Sequence, residues 1–260
     1  NGTTWDQHTI YESGTSVDPI SSEFIDVDND GKLDVVAAFF SGSDIKWFRN
    51  DGTLPDNGWV VEDIETSNTT TAIAVGDIDG DGNSDIINAN YSGDVYWYEN
   101  TYDTSGGTDG FGNAQLVGLN SIRSRDVEAG DMDGDGDIDI VVALRDGSKI
   151  VWYENNNGLG TSWTDHNLLT SADGSTFAGV ELADFDNDGD LDLVSIASGT
   201  DDIFWLENNG AADPTFTKYT VTTTRGDENV VVGDIDGDEI IDIIATTPSS
   251  GIEWWENTGT

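Results

Sequence analysis

The chain has 260 residues, with 52 acidic against 9 basic side chains, a formal charge of −43 and no cysteine. Charge of that sign excludes binding to nucleic acid through its phosphates and works against anionic membrane surfaces. Without thiols there are neither disulfides nor thiolate metal sites, and no apolar run approaches the roughly 18 residues of a membrane span, so no membrane insertion is expected.

The chain opens at Asn1 with neither an initiating Met nor a signal peptide, which reads as a processed chain or part of a longer polypeptide. Trp5 to Ile10 is a short β-type segment, and an acidic stretch follows at residues 26–34. Near-copies of that stretch start at Asp77, Asp131, Asp184 and Asp234, with spacings of 51, 54, 53 and 50 residues. A period of this size marks a repeat architecture. In the third copy, Val127 to Gly130 leads into the acidic loop, Ile138 to Leu144 leaves it, Lys149 to Asn155 follows a turn, and Trp163 to Leu168 completes the unit. Each segment is short, rich in β-branched and aromatic residues and bounded by turn residues, so each reads as a strand. The third segment recurs as Ile45 to Asn50, Val95 to Asn100, Ile203 to Asn208 and Ile252 to Asn257. The fourth recurs as Trp59 to Ile64, Phe111 to Leu116 and Phe216 to Val221, and Trp5 to Ile10 matches it. Apolar residues on both faces of the strands imply sheets covered on both sides. Thr101 to Gly110, rich in Gly, Thr and Asp, reads as a surface insertion, and no boundary divides the repeats, so one domain is expected over 1–260.

Every acidic loop carries Asp at positions 1, 3, 5 and 9: Asp26, Asp28, Asp30 and Asp34; Asp77, Asp79, Asp81 and Asp85; Asp131, Asp133, Asp135 and Asp139; Asp184, Asp186, Asp188 and Asp192; Asp234, Asp236, Asp238 and Asp242. Alternate carboxylates converge on a small cation only if the backbone turns sharply, and four of the five loops supply Gly at position 6, with Glu239 as the exception. Unscreened, these carboxylates repel one another. The pattern predicts four to five structural Ca2+ ions, with position 7 (Lys32, Asn83, Asp137, Asp190 and Ile240) contributing its carbonyl. An EF-hand would need Glu at position 12, where this chain has Ala37, Asn88, Val142, Ser195 and Ala245.

The Asp-x-Asp-x-Asp-Gly loops, the preceding Gly-Asp pairs (Gly76-Asp77, Gly130-Asp131, Gly233-Asp234) and the Trp-x-Glu-Asn strands resemble FG-GAP/VCBS-type repeats. The resemblance implies the β-propeller of integrin α-chains and of many secreted bacterial proteins, with the strand before each acidic loop innermost in its blade. Propellers of that family commonly have seven blades, whereas five repeats are counted here. A fourth-type strand at the start and a third-type strand at the end are complementary. The expected fold is therefore all-β: a five-bladed propeller of four-stranded antiparallel blades, its ring closed by Trp5 to Ile10 beside the strand ending at Asn257.

Eight of the nine Trp occupy repeat positions and the ninth, Trp255, matches Phe48, Tyr98, Tyr153 and Leu206, so core packing is expected of them. His8 and His166 sit at a repeat-matched position as well, and no nucleophile elbow or phosphate loop is present, so no catalytic constellation is read. The residues that depart from their counterparts fall in loops opposite the acidic ones: Tyr91, Arg123, Arg125, Arg145 and Phe177 are the candidate ligand-binding set. The expected role is an extracellular, secreted or cell-surface binding module for carbohydrate or a cell-surface glycoconjugate. The alternatives are a polysaccharide lyase or hydrolase, and a structural block of an adhesin or filament.

Overall fold

A computed structural model of the chain describes residues 6–12, 18–40, 44–53, 59–66, 69–102, 110–120, 122–147, 149–170, 176–198, 202–223, 229–247 and 251–259. These form five antiparallel sheets and no helix. Blade 1 contains β1 (Pro19–Ile25), β2 (Asp34–Phe39), β3 (Asp44–Asn50) and β4 (Trp59–Glu65). Blade 2 contains β5 (Thr70–Gly76), β6 (Asp85–Asn90), β7 (Val95–Tyr98) and β8 (Gln115–Gly118). Blade 3 follows with β9 (Ser124–Gly130), β10 (Asp139–Leu144), β11 (Lys149–Asn155) and β12 (Trp163–Thr170). Blade 4 has β13 (Thr176–Ala183), β14 (Asp192–Ser198), β15 (Asp202–Asn208) and β16 (Phe216–Thr222), and blade 5 has β17 (Asn229–Gly233), β18 (Asp242–Thr247) and β19 (Gly251–Trp255). Each sheet is a simple meander, and the first strands β1, β5, β9, β13 and β17 follow one another around a propeller ring.

The second strand of a blade is apolar throughout because both its faces are covered. In β10, Ile140, Val142 and Leu144 pack towards blade 2, while Val141 and Ala143 pack towards blade 4. The third-strand Trp fills the junction with the next blade: Trp47 lies with Ile73 and Ile86, Trp97 with Val127 and Val142, and Trp152 with Phe177 and Leu193. Trp205 repeats the arrangement against Val230 and Ile243.

A polar lock accompanies each apolar junction. The side-chain amide of Asn100 donates to the Val27 carbonyl at 3.0 Å, Asn155 to Ile78 at 2.9 Å, Asn208 to Met132 at 2.8 Å and Asn257 to Phe185 at 2.7 Å. Each acceptor is position 2 of the acidic loop in the preceding blade. Asn50 differs, reaching only the Leu33 carbonyl of its own blade at 3.2 Å. The junction it would serve, between blades 5 and 1, lacks the packing of β13 on β17. Trp254 is accordingly 45% exposed, against at most 2% for Trp47, Trp97 and Trp152, and Phe24 and Ile252 also lie open.

This corrects two expectations. Among the described residues the fifth blade has three strands, and residues 6–12 form none; Trp5 lies outside the described residues. Instead the Tyr11 ring packs on Phe39 and Phe48 of blade 1, at 5.9 and 5.3 Å. Among the described strands none of a neighbouring blade packs closely on blade 1 from that side, and the aromatic face takes up Tyr11. Core packing of every Trp also fails at Trp254, for the same reason.

The lock yields a paired expectation. Asn155→Ala should cost about 1–3 kcal/mol, because it strands a buried carbonyl, whereas Asn50→Ala should cost clearly less. Equal losses in thermal or denaturant unfolding would contradict the cross-blade role.

Candidate functional site

Each acidic loop joins the first two strands of its blade, and its carboxylates organise the turn before any ion is considered. In the third loop, Asp131 accepts the backbone N–H groups of Gly134 (2.8 Å), Asp135 (3.2 Å) and Gly136 (3.0 Å). Asp139 accepts Met132 N–H at 3.0 Å and Asn155 N–H at 2.8 Å. The turn needs left-handed backbone at two positions. Position 6 has φ of +85° to +99° at Gly31, Gly82, Gly136 and Gly189, and Glu239 is driven to +71°. Position 4 is also left-handed in all five loops, at Asn29, Gly80, Gly134, Asn187 and Gly237, and Asn and Gly are the residues that tolerate it best.

The side chains gather as the spacing requires. Carboxylate oxygens of Asp77, Asp79 and Asp85 lie within 4.8 Å of one another, as do those of Asp131, Asp133 and Asp139, of Asp184, Asp186 and Asp192, and of Asp234, Asp236 and Asp242. In the first loop the trio is Asp26, Asp28 and Asp30. Position 5 is turned to the backbone: Asp30, Asp81, Asp135, Asp188 and Asp238 accept the N–H of Lys32, Asn83, Asp137, Asp190 and Ile240 at 2.7–3.1 Å. The Lys32 ammonium also pairs with Asp30, adding a competing cation to the first loop.

These residues fit a divalent cation. The donors are all hard oxygens, one buried oxygen of Asp77 has no protein partner, and burial pushes Asp85 and Asp139 up to about 7 and Asp192 to about 6, against the hydrogen bonds that favour the charged forms. Raised carboxyl values signal charge that the protein alone does not compensate. Asp242 of the fifth loop differs: despite desolvation, the N–H groups of Asn257 and Ile235 hold it below the ordinary value.

The opposite mouth of the ring is shaped by β-bulges. Ladder register slips at Ile20 in β1, Thr71 in β5, Arg125 in β9 and Ala178 in β13, each the extra residue between two paired neighbours. A bulge re-aims a side chain, and all four extra residues line one pocket of about 570 Å3 to which every blade contributes. Tyr91, Arg123, Arg125 and Arg145 line it too. The Arg123 guanidinium stacks 4.3 Å over Tyr91, with its Nε 3.4 Å from Asp146. Phe40 meets Tyr91 edge-on at 5.7 Å. Phe177 is not part of this group: it is 1% exposed and packs on Phe204 at 5.7 Å, because its place on a first strand turns it into the junction of blades 3 and 4.

Sequence reasoning missed the acids beneath this mouth. Glu23, Glu128 and Glu181 stand three residues before the first Asp of their loops. Asp126, on the same side of β9 as Glu128, lines the pocket itself. Desolvation, then the like charges of Glu181, Asp126 and Glu23, push Glu128 up to about 9. Burial and the same neighbours lift Glu181 to about 7, and burial lifts Asp126 to about 6. The recurrence of an acid at one position in three repeats was the available signal. His166 stacks on Trp152 at 4.3 Å and meets Glu154 at 2.8 Å, a packing role on an outer strand.

Comparison with known proteins agrees with this geometry. The FG-GAP-like repeat family matches four times, over residues 26–88, 77–142, 131–195 and 184–245. No curated protein sequence matches. Among solved structures, BBS1N in complex with ARL6DN aligns with a TM-score of 0.59 at 14% identity, over 92% of this chain and 66% of that one. The Dos1 propeller aligns at 0.60 and 10% identity, over 92% of this chain and 55% of its own. The Photorhabdus luminescens Tc holotoxin pore aligns at 0.52 and 19% identity, over 92% of this chain and 11% of that one. The chain thus spans less than two thirds of these structures, and at such identities the likeness concerns the fold.

Two outcomes are expected of the loops. Glu239→Gly should tighten cation binding at the fifth loop by relieving strain of roughly 1 kcal/mol, and an unchanged calorimetric affinity in that variant would discard the strain. A raised carboxyl value in the folded state is a penalty that grows as pH climbs from the unfolded value towards the folded one. Cation-free protein should therefore lose stability as pH rises from about 4 to about 7 through the values of Asp85 and Asp139, and cation affinity should rise over the same window. Melting curves with and without chelator across that range test both trends, and a cation affinity independent of pH would contradict them.

Proposed function

The chain belongs to the FG-GAP-like repeat family, and on that premise we propose that it is an extracellular binding module, stapled by Ca2+ in its acidic loops, that takes carbohydrate at the axial mouth. Loops of all-oxygen donors on a turn held by backbone hydrogen bonds suit Ca2+, which accepts six to eight ligands, better than Mg2+. Calcium is plentiful outside cells, and a cysteine-free, strongly acidic chain can use it in place of disulfides.

One observation carries the binding reading. Residues that depart in chemistry from their counterparts in other repeats, Tyr91, Arg123, Arg125 and Arg145, converge on one pocket. Tyr91 and Phe40 offer flat apolar surface for a pyranose ring, and the guanidinium groups offer planar paired donors for hydroxyl or carboxylate oxygens. A glycan array probed in calcium and in chelator tests it. Tyr91→Ala and Arg145→Ala should each weaken binding of the selected glycan about tenfold while leaving calcium-dependent melting unchanged. Full affinity in both variants would move the site elsewhere.

Two other readings each have one observation in their favour. The half-buried acids Glu128 and Glu181 would serve a polysaccharide hydrolase or lyase, for which release of reducing ends or unsaturated products is the assay. The open faces at Phe24 and Trp254 would serve a building block of an adhesin or filament.

A further inference from the structure

We infer that the axial mouth selects a zwitterionic ligand, a sugar carrying both an amine and a carboxylate, with the carboxylate held by Arg125 and Arg145 at the rim and the amine directed to Asp126 and Glu128 at the floor. The inference rests on the mouth being the carbohydrate site and adds the charge pattern of its ligand.

The rim is a local inversion of the protein's charge. Of the nine basic residues in the chain, three line this one pocket. Arg123 is engaged by Tyr91 and Asp146, whereas no ion pair to Arg125 or Arg145 is found among the described residues, and both are exposed. Arg125 stands there because it is the bulged residue of β9.

The floor is lined by carboxyl groups, of which Asp126 ionises below neutral pH and Glu128 holds its proton until a cation reaches it. Ser124 and Asp126 flank the bulge, and both line the pocket. Glu128 lies two residues further along the same side of β9, about 7 Å deeper by strand geometry. Glu181 and Glu23 reach the same region from β13 and β1, since both raise Glu128 electrostatically and Glu23 also raises Glu181. Among the described residues no cation or hydrogen-bond donor meets the carboxylates of Glu23, Glu128 or Glu181. The Ser124 hydroxyl provides an independent sign of a missing partner: the residue is 1% exposed, lines the pocket, and its Oγ has no hydrogen bond. Buried polar groups in folded proteins nearly always have a partner.

A ligand of one charge satisfies only half of this site. An anion meets the arginines but also the floor acids and a −43 protein. A simple cation meets the acids but must pass the guanidinium rim. An amine and a carboxylate a few ångströms apart on one ring answer both, with charge-assisted hydrogen bonds at each end.

The test is calorimetric titration of the calcium-loaded protein, just below neutral pH, with glucose, glucosamine, glucuronate and muramic acid, a hexose bearing both charged groups. Muramic acid should bind at least about tenfold tighter than glucosamine or glucuronate. Glu128→Gln should reduce muramic acid and glucosamine binding and spare glucuronate, while Arg125→Ala should do the reverse for the two single-charge sugars. Because burial and the neighbouring acids push Glu128 up to about 9, an ammonium there should release a proton, seen as a heat that varies with the buffer. Unchanged calcium-dependent melting keeps misfolding of either variant from imitating these effects. Muramic acid binding no tighter than glucose, or glucuronate matching it, overturns the inference while leaving a carbohydrate site in place. Binding of 4-aminobutyrate but of none of the sugars overturns the carbohydrate reading and retains the charge pattern. If none of the five compounds binds, both fall.

Discussion

The ninth-position aspartate ties together three levels of this structure in four of the five blades. One oxygen of Asp139 closes its own loop through Met132 N–H, and the other accepts the N–H of Asn155 at the end of the third strand. The side chain of that same Asn crosses to the Ile78 carbonyl of the preceding blade. Loop, blade and neighbouring blade are therefore connected through one buried carboxylate and one amide, and the pattern repeats at Asp85, Asp192 and Asp242. Because such a carboxylate is desolvated, its charge needs compensation beyond backbone N–H groups. A cation in the loop would supply it, and its binding energy would reach the blade junctions through the same atoms.

The apolar contribution follows the same geometry. A blade cannot cover its own faces, so each junction draws a Trp from one blade and the aliphatic second strand of the next. The junctions are equivalent but not equally complete. Between blades 2 and 3 and between blades 3 and 4 the Trp is almost fully buried, whereas Trp254 of blade 5 is 45% exposed. A repeat protein's stability is close to a sum of unit and neighbour contributions, so blades 1 and 5, each with one unmatched face, are the least supported parts of the ring.

The two ends of the axis are built on different principles. At the acidic-loop end the five units are near-copies, which suits a structural ion in every blade. At the other end a shared bulge places one residue per blade, in four of the five, at the mouth, and that residue is free to differ. Ile20, Thr71, Arg125 and Ala178 occupy equivalent places with unrelated chemistry. Repetition thus supplies the frame, and variation at a fixed backbone irregularity supplies a site of defined character, here basic at the rim and acidic below.

The sequence by itself determined the repeat period, most of the strands, the blade number and the clustering of loop aspartates, because each follows from local spacing: alternate residues on a strand or tight turn share a side whatever surrounds them. It also set Tyr91, Arg123, Arg125 and Arg145 apart, by their departure from the repeat. Tertiary structure alone decided the rest. Phe177 and Arg125 both lie on first strands, yet a one-residue bulge sends Arg125 to the mouth while Phe177 enters a blade junction. Glu23, Glu128 and Glu181 become one cluster only where three blades converge on the axis, more than 50 residues apart in the chain. Whether the N-terminal segment would complete blade 5 or lie on blade 1 depended on a competition between a free strand edge and an uncovered aromatic face. Local pattern carries no information about that balance, and among the described residues it went to Tyr11 on Phe39 and Phe48.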